Sequence, residues 1–210
     1  MPFQLPRVYP LTDIGIAGLS HAEQVARLCD GGASLIQLRE KRMPPRDFYV
    51  QAQTALTVAR QRGVRLIIND RVDLAQAIGA DGVHLGQDDL PAEAARALLG
   101  PKAIIGLSTH NVDQARLACY LPIDYLAIGP IFPTTTKDDT APQMGLAGLR
   151  AVRKVIGDFP LVAIGGLTSS NGRQAIAAGA DSVAVISALL SNSDQTADCT
   201  RALLTSLASI

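Results

Sequence analysis

The chain has 210 residues, 48% of them hydrophobic, and nineteen basic side chains balance nineteen acidic ones. That length and apolar content suffice for one sizeable core, and the zero formal charge leaves no global field to draw nucleic acid or an anionic membrane surface, so any anion site must be local. The three cysteines, Cys29, Cys119 and Cys199, are odd in number and far apart, which argues against a disulfide framework or zinc ribbon and for thiols in a reducing compartment. Residues Met1 to Pro6 lack a basic region followed by an apolar core, and no run approaches roughly 18 apolar residues, so a cytoplasmic protein is expected.

Taken in chain order, short apolar runs recur at Arg7 to Asp13, Ala33 to Glu40, Arg65 to Asp70, Gly82 to Gln87, Ala103 to Ser108, Tyr125 to Pro130, Leu161 to Gly166 and Ser182 to Ser187. Most are near-continuous in Ile, Val, Leu and Ala, as a strand covered on both faces of a parallel sheet must be. Helical patterns lie between them. Ser20 with Glu23 has capping-box spacing, Gly31-Gly32 stops that helix, and Asn111 with Gln114 opens a similar segment. Gly32-Ala-Ser, Gly79-Ala-Asp and Gly179-Ala-Asp each stand between a helix end and a strand, the mark of one strand–helix unit reused. Eight such units predict an α/β fold, a single (β/α)8 TIM barrel over residues 1–210. The polar loop from Ile131 to Gly145 reads as a mobile lid.

In such a barrel the chemistry sits at the C-terminal ends of the strands. After the sixth run, Pro133-Thr134-Thr135-Thr136-Lys137 gathers hydroxyl donors and an ammonium where a phosphate can be held, although a plain solvated loop has the same composition. Alternation along the second run puts Gln37, Arg39 and Lys41 on one side and Leu38 and Glu40 on the other, so Arg39 and Lys41 can grip a diphosphate together; the alternative is surface charge with Glu40 as local counter-ion. Asp70 and Asp89 end neighbouring runs, and paired carboxylates beside a phosphate site suit Mg²⁺. Each has a competing role: Asp70 as a cap on a helix from Val72, and Asp88 or Asp89 as a cap before Pro91. Ser108 offers a hydroxyl. His110 reads as a residue before the Asn111 cap, and His84 as an interior or surface histidine without a second imidazole at ligand spacing. Gly166 and Ser187, at the last two runs, suit a phosphate cradle built from backbone N–H groups.

From about Pro10 to Leu190 the chain resembles the thiamine phosphate synthase family. The resemblance rests on Gln37-Leu-Arg-Glu-Lys41, Asn69-Asp70, Gly86-Gln-Asp-Asp89, Ser108, Gly129-Pro130 with Pro133 to Lys137, and Ile164-Gly-Gly166 with Ile186-Ser187, all in the right order. It implies a Mg²⁺-dependent transfer that joins a pyrimidine methyl diphosphate to a thiazole phosphate and releases pyrophosphate. Carried over position by position, it gives Gln37, Leu38, Arg39, Glu40, Lys41, Asn69, Ser108 and Lys137 to the pyrimidine diphosphate, and Asp70 and Asp89 to Mg²⁺. The thiazole phosphate falls to Thr134, Thr135, Thr136, Gly166, Ile186 and Ser187. Arg39, Lys41 and Lys137 then carry the catalytic electrostatics, and phosphorylated small molecules are the partners.

Arg71 departs from the family pattern, in which an acidic or neutral residue often follows Asn69-Asp70, and a guanidinium beside the metal weakens Mg²⁺ binding unless it turns outward or contacts diphosphate. The acidic pair Asp138-Asp139 in the lid reads as a solvated surface. A thiazole tautomerase, an isomerase on the same barrel, has no need of the metal carboxylates and three cations; a non-catalytic barrel that senses a phosphorylated metabolite is the other rival. Nothing fixes the oligomeric state, so a homo-oligomer stays open.

Overall fold

Eight strands follow one another around a closed, all-parallel barrel: β1 (Val8–Thr12), β2 (Leu35–Leu38), β3 (Arg65–Asn69), β4 (Gly82–Leu85), β5 (Ile104–Thr109), β6 (Tyr125–Ile128), β7 (Leu161–Ile164) and β8 (Ser182–Val185), which pairs back to β1. This computed structural model describes residues 3–134 and 142–208. Each expected run is a strand, and the expected TIM barrel is the observed fold. Most strands end earlier than the apolar runs do, because Asp13, Arg39, Asp70, Gly86, Gly165 and Ser187 leave the ladder at the rim. Only β5 runs one residue further, to Thr109.

The outer layer comprises α1 (Ile14–Ala17), α2 (His21–Asp30), α3 (Pro45–Gln61), α4 (Val72–Ile78), α5 (Ala92–Leu99), α6 (Val112–Ala118), α7 (Gly145–Ile156), α8 (Gly172–Ala177), α9 (Ser187–Leu190) and α10 (Thr196–Leu207). The capping box closes on α2, where the Glu23 N–H donates to Ser20 Oγ and the Ser20 N–H to Glu23 Oε2. On α6 the cap is shared out differently. Asn111 Oδ1 accepts the Gln114 N–H at 2.8 Å, but the Gln114 side chain accepts from the His110 N–H one residue earlier. None of the described helices is long and apolar enough to cross a membrane.

The reused unit carries a stitch at the N-terminal end of the barrel. Asp81, Asp124 and Asp181 stand just before β4, β6 and β8, and each accepts the first or second N–H of the strand before it, from Leu66, Ile105 and Leu161, at 2.8 Å. Arg96 Nη2 on α5 then bonds Asp124, and Arg153 Nη2 on α7 bonds Asp181 at 2.6 Å, while Arg153 Nη1 donates to the carbonyls of Gly157 and Phe159 and its Nε to that of Gly179. One carboxylate thereby ties strand, helix and loop. Because that carboxylate is nearly half exposed, Asp181→Ala is expected to cost about 1–2 kcal/mol, read as a fall in Tm of roughly 2–4 °C per kcal/mol, with turnover intact because the site is at the opposite end. An unchanged Tm would remove the stitch from the account.

Candidate active site

A cavity of about 940 Å³ opens at the C-terminal ends of the strands. The expected alternation holds only within β2, because the chain leaves the ladder after Leu38, and Glu40, expected on the other side, also lines the cavity. Gln37, Arg39 and Lys41 line the cavity, whereas Leu38, assigned to the pyrimidine diphosphate by the resemblance, is fully buried and is not among the lining residues, because the pleat turns it to the helix side. Gln37 is buried, and its Nε2 donates to the Tyr9 hydroxyl at 3.1 Å. The Arg39 guanidinium is held by Asp13, with Nη1 to Oδ2 at 2.6 Å, and both side chains are largely buried. Asp13, and not Glu40, is therefore the counter-ion of Arg39. Glu40 reaches the cavity wall, but its Oε1 accepts the N–H groups of Arg42 and Met43, and its Oε2 lies 3.6 Å from His21 Nε2. The sequence signal that would find Asp13 is its place as the last polar residue of the first run, equivalent to Asp70 in the third.

At the exit of β3, Asn69 is 7% exposed on the cavity wall, and its Nδ2 has no hydrogen-bond partner among the described residues. A buried amide left unpaired costs free energy unless something in the cavity accepts from it. Asp70 follows with φ of +62°, alone among described non-glycine residues in having a positive φ. Its neighbours make two successive γ-turns, with the Arg71 N–H bonding to the Asn69 carbonyl at 2.7 Å and the Val72 N–H to the Asp70 carbonyl at 3.2 Å. That twist turns the Asp70 carboxylate inward, where it pairs with Lys41 and meets Asp89. Burial pushes the Asp70 carboxyl above its ordinary value, the Lys41 ammonium pulls against that, and the Asp89 carboxylate adds to the upward push.

The capping roles entertained for these residues are not what the fold uses. Helix α4 starts after Arg71 with no side-chain cap, and α5 starts after Pro91 likewise, so Asp70 and Asp88 cap neither. Asp89 instead accepts the Gly86 N–H at 2.6 Å, which folds the turn after β4 back on itself and fixes the carboxylate at the rim. Arg71 bonds Asp73 through both Nε and Nη2, so its charge is matched next to α4 and away from the carboxylate pair. Asp70 and Asp89 offer hard oxygen donors side by side, under mutual repulsion that a cation relieves. Among the described residues no group of three or more His, Cys, Asp or Glu that could hold a metal ion is gathered.

On the far wall, Ser108 Oγ lies 2.9 Å from His84 Nε2, and His84 is an interior residue. His110 reaches the cavity, where its Nδ1 lies 2.9 Å from the Gly129 carbonyl and anchors the end of β6. Ser187 lines the cavity at the start of the four-residue α9, whose first N–H groups have no carbonyl of their own turn to bond. Gly166 and the buried Ile186 are not among the residues that line it. Gly165 and Gly166 have φ of +98° and +63°, and a Cβ would come within 2.6 Å of Pro130 at the first and 2.5 Å of the Pro133 carbonyl at the second. Both the turn and the close approach of the loop after β6 therefore demand glycine. Thr134 ends the described part of that loop; Thr135, Thr136, Lys137 and the acidic pair Asp138-Asp139, with the centre of the expected lid, lie outside the described residues.

The family profile described as Thiamine monophosphate synthase matches residues 8–189. The chain belongs to the thiamine monophosphate synthase family. It is accordingly an enzyme, a transferase. Among its relatives, the Thiamine-phosphate synthase of Chloroflexus aurantiacus is 46% identical over 192 residues, covering 91% of this chain and 88% of that one. The Thiamine-phosphate synthase of Syntrophomonas wolfei is 48% identical over 188 residues, covering 89% and 90%. The thiamine phosphate pyrophosphorylase structure from Pyrococcus furiosus superposes with a TM-score of 0.87 at 35% identity, over 97% of this chain and 96% of that one. All the rim residues described above, from Asp13 to Ser187, fall within the stretch matched to the thiamine monophosphate synthase family.

Proposed function

We propose that the chain, acting as one domain, joins a pyrimidine methyl diphosphate to a thiazole phosphate, yielding thiamine phosphate and pyrophosphate. The observation that carries this reading is the convergence of Arg39, Lys41, Asn69, Asp70 and Asp89, from three strand ends, on one wall of a cavity roomy enough for two small phosphorylated molecules. Cations beside paired carboxylates are what a Mg²⁺-bound diphosphate requires and what an isomerase acting on a single phosphate does not.

In the reaction the bond between the pyrimidine methylene carbon and the diphosphate oxygen breaks, and its electron pair leaves with pyrophosphate. The thiazole ring nitrogen then gives its lone pair to that carbon. That nitrogen has no proton to remove, so no general base or activated nucleophile is needed. Asp70 and Asp89 would hold Mg²⁺, which when bound would supply charge neutralisation for the leaving diphosphate. Arg39 and Lys41 face the same oxygens, Asn69 Nδ2 donates into the cavity, and Lys137 adds a third cation from the loop. Thr134, Thr135 and Thr136, with the backbone at Gly166, Ile186 and Ser187, hold the thiazole phosphate opposite, as the chemistry of a hydroxyl-lined, N–H-rich rim supports. The barrel interior shields the electron-poor methylene from water.

Purified protein given both substrates and Mg²⁺ is expected to release pyrophosphate, and to release little when the thiazole phosphate is omitted. Release that ignores the thiazole, or none with the full mixture, would overturn the reading.

A further inference from the structure

Under the cavity, five polar side chains from five strands form one unbroken line of hydrogen bonds across the barrel. Gln37 Nε2 on β2 donates to Tyr9 Oη on β1 at 3.1 Å, and Tyr9 Oη lies 2.9 Å from Tyr125 Oη on β6. Tyr125 Oη lies 3.0 Å from His84 Nδ1 on β4, and His84 Nε2 lies 2.9 Å from Ser108 Oγ on β5. The two ends of the line, Gln37 and Ser108, are on opposite walls of the cavity.

The line has a direction. Tyr9 and Tyr125 are fully buried, which pushes both phenols well above their ordinary range and keeps both protons in place, so each hydroxyl has one hydrogen to give. The Gln37 amide N–H can only donate, so Tyr9 accepts there and gives its own hydrogen to Tyr125. Tyr125 gives its hydrogen to His84 Nδ1. A neutral imidazole that accepts at Nδ1 carries its proton on Nε2, so it donates to Ser108 Oγ. The Ser108 hydrogen is then turned away from His84, toward the cavity.

The packing around this line is built for it. The ring of His84 stacks on Tyr125 with centroids 5.5 Å apart and planes at 24°, and Tyr9 meets Tyr125 edge-on at 81°. Gly106 on β5 has no room for a side chain, because a Cβ there would collide with the Tyr125 hydroxyl and come within 2.5 Å of His84 Nδ1. A buried polar chain of this kind is tolerated only when every member is paired.

We infer that Tyr125 is a positioning residue: through His84 it holds the Ser108 hydroxyl as a committed donor to the substrate, while Gln37 keeps its carbonyl oxygen as an acceptor on the opposite wall. The inference rests on the proposed reading in one respect, that Ser108 contacts the substrate. The floor of the site thus presents one donor and one acceptor of fixed sense, suited to a planar heterocycle with an amino group and a ring nitrogen or phosphate oxygen.

Tyr125→Phe keeps the ring and deletes the hydroxyl. In protein carrying ¹⁵N-labelled histidine, the His84 resonances of the wild type should be those of a pyrrole-like Nε2 and a pyridine-like Nδ1, and in Tyr125→Phe they should move toward a mixture of tautomers. Tyr9→Phe, which breaks the line one step earlier, should move them in the same direction, so the test survives if one variant folds poorly. Turnover should fall roughly tenfold in Tyr125→Phe, but by less than about twofold when Ser108 is already alanine, because coupled residues are not additive. A proton on Nδ1 in the wild type, or an equal loss in both backgrounds, would overturn the inference. The spectra decide it without activity, so failure of the synthase reading registers separately, as absent pyrophosphate release.

Discussion

Asp70→Gly is expected to leave the protein at least as stable as the wild type and to abolish most of its activity. The L-residue at φ of +62° sits in a region that costs roughly 1–2 kcal/mol for ordinary side chains and less for Asp, and glycine adopts it freely. Loss of the Lys41 pair is a small debit, since the Lys41 side chain is half exposed. Removing one of two closely spaced carboxylates also relieves repulsion. Turnover should nevertheless drop by about 100-fold or more, the usual loss when a charge-stabilising contact disappears. Asp70→Asn, which keeps the side-chain volume, should lose as much and should need more Mg²⁺ for whatever rate remains. Thermal melting together with pyrophosphate release checks both halves. A Gly variant that melts several degrees lower would show that the left-handed turn is not strained, and one that retains turnover would show that the carboxylate is not used.

The second large effect is expected at Arg39. Its guanidinium is pinned to Asp13 with little solvent access, so Arg39→Ala removes a cation from the leaving-group side and strands a largely buried carboxylate. Turnover should fall by about 100-fold or more, and stability by roughly 1–3 kcal/mol, below the 3–5 typical of fully buried pairs because both groups keep some solvent. The combination Asp13→Ala with Arg39→Ala should recover most of the stability and none of the activity. Arg39→Lys keeps the charge but loses the planar fork that bonds Asp13 and that would leave further N–H groups for phosphate oxygens under the proposed function, and should lose about tenfold. Recovery of activity in the double variant would reduce Arg39 to a structural partner of Asp13.

The strands were legible because each is covered on both faces, which forces near-continuous apolar runs, and β1 to β8 all appear where those runs are. The stitch of Asp81, Asp124 and Asp181 was half legible: the Gly-Ala-Asp repeat showed two of its sites, but Asp124 follows Pro122-Ile123 and carries no such mark. Arg39, Lys41, Asp70 and Asp89 could be picked out because charged residues at the end of an apolar run have only the rim to occupy. The pairing of Asp13 with Arg39 and the Tyr9–Tyr125–His84 line could not, since the partners are 26 to 116 positions apart and no local spacing encodes them.

The sequence by itself determined the barrel, its single chain order and the identity of the charged residues at the rim, because alternation and apolar runs are local consequences of burial. Only the tertiary structure decided which charge faces which, that Asp70 is twisted inward through a left-handed turn, and that five buried polar groups line up across the interior. The charge pairing and the polar line follow from the closed barrel, which sets residues 26 to 116 positions apart within hydrogen-bond reach, whereas the Asp70 twist is made by the two γ-turns around it.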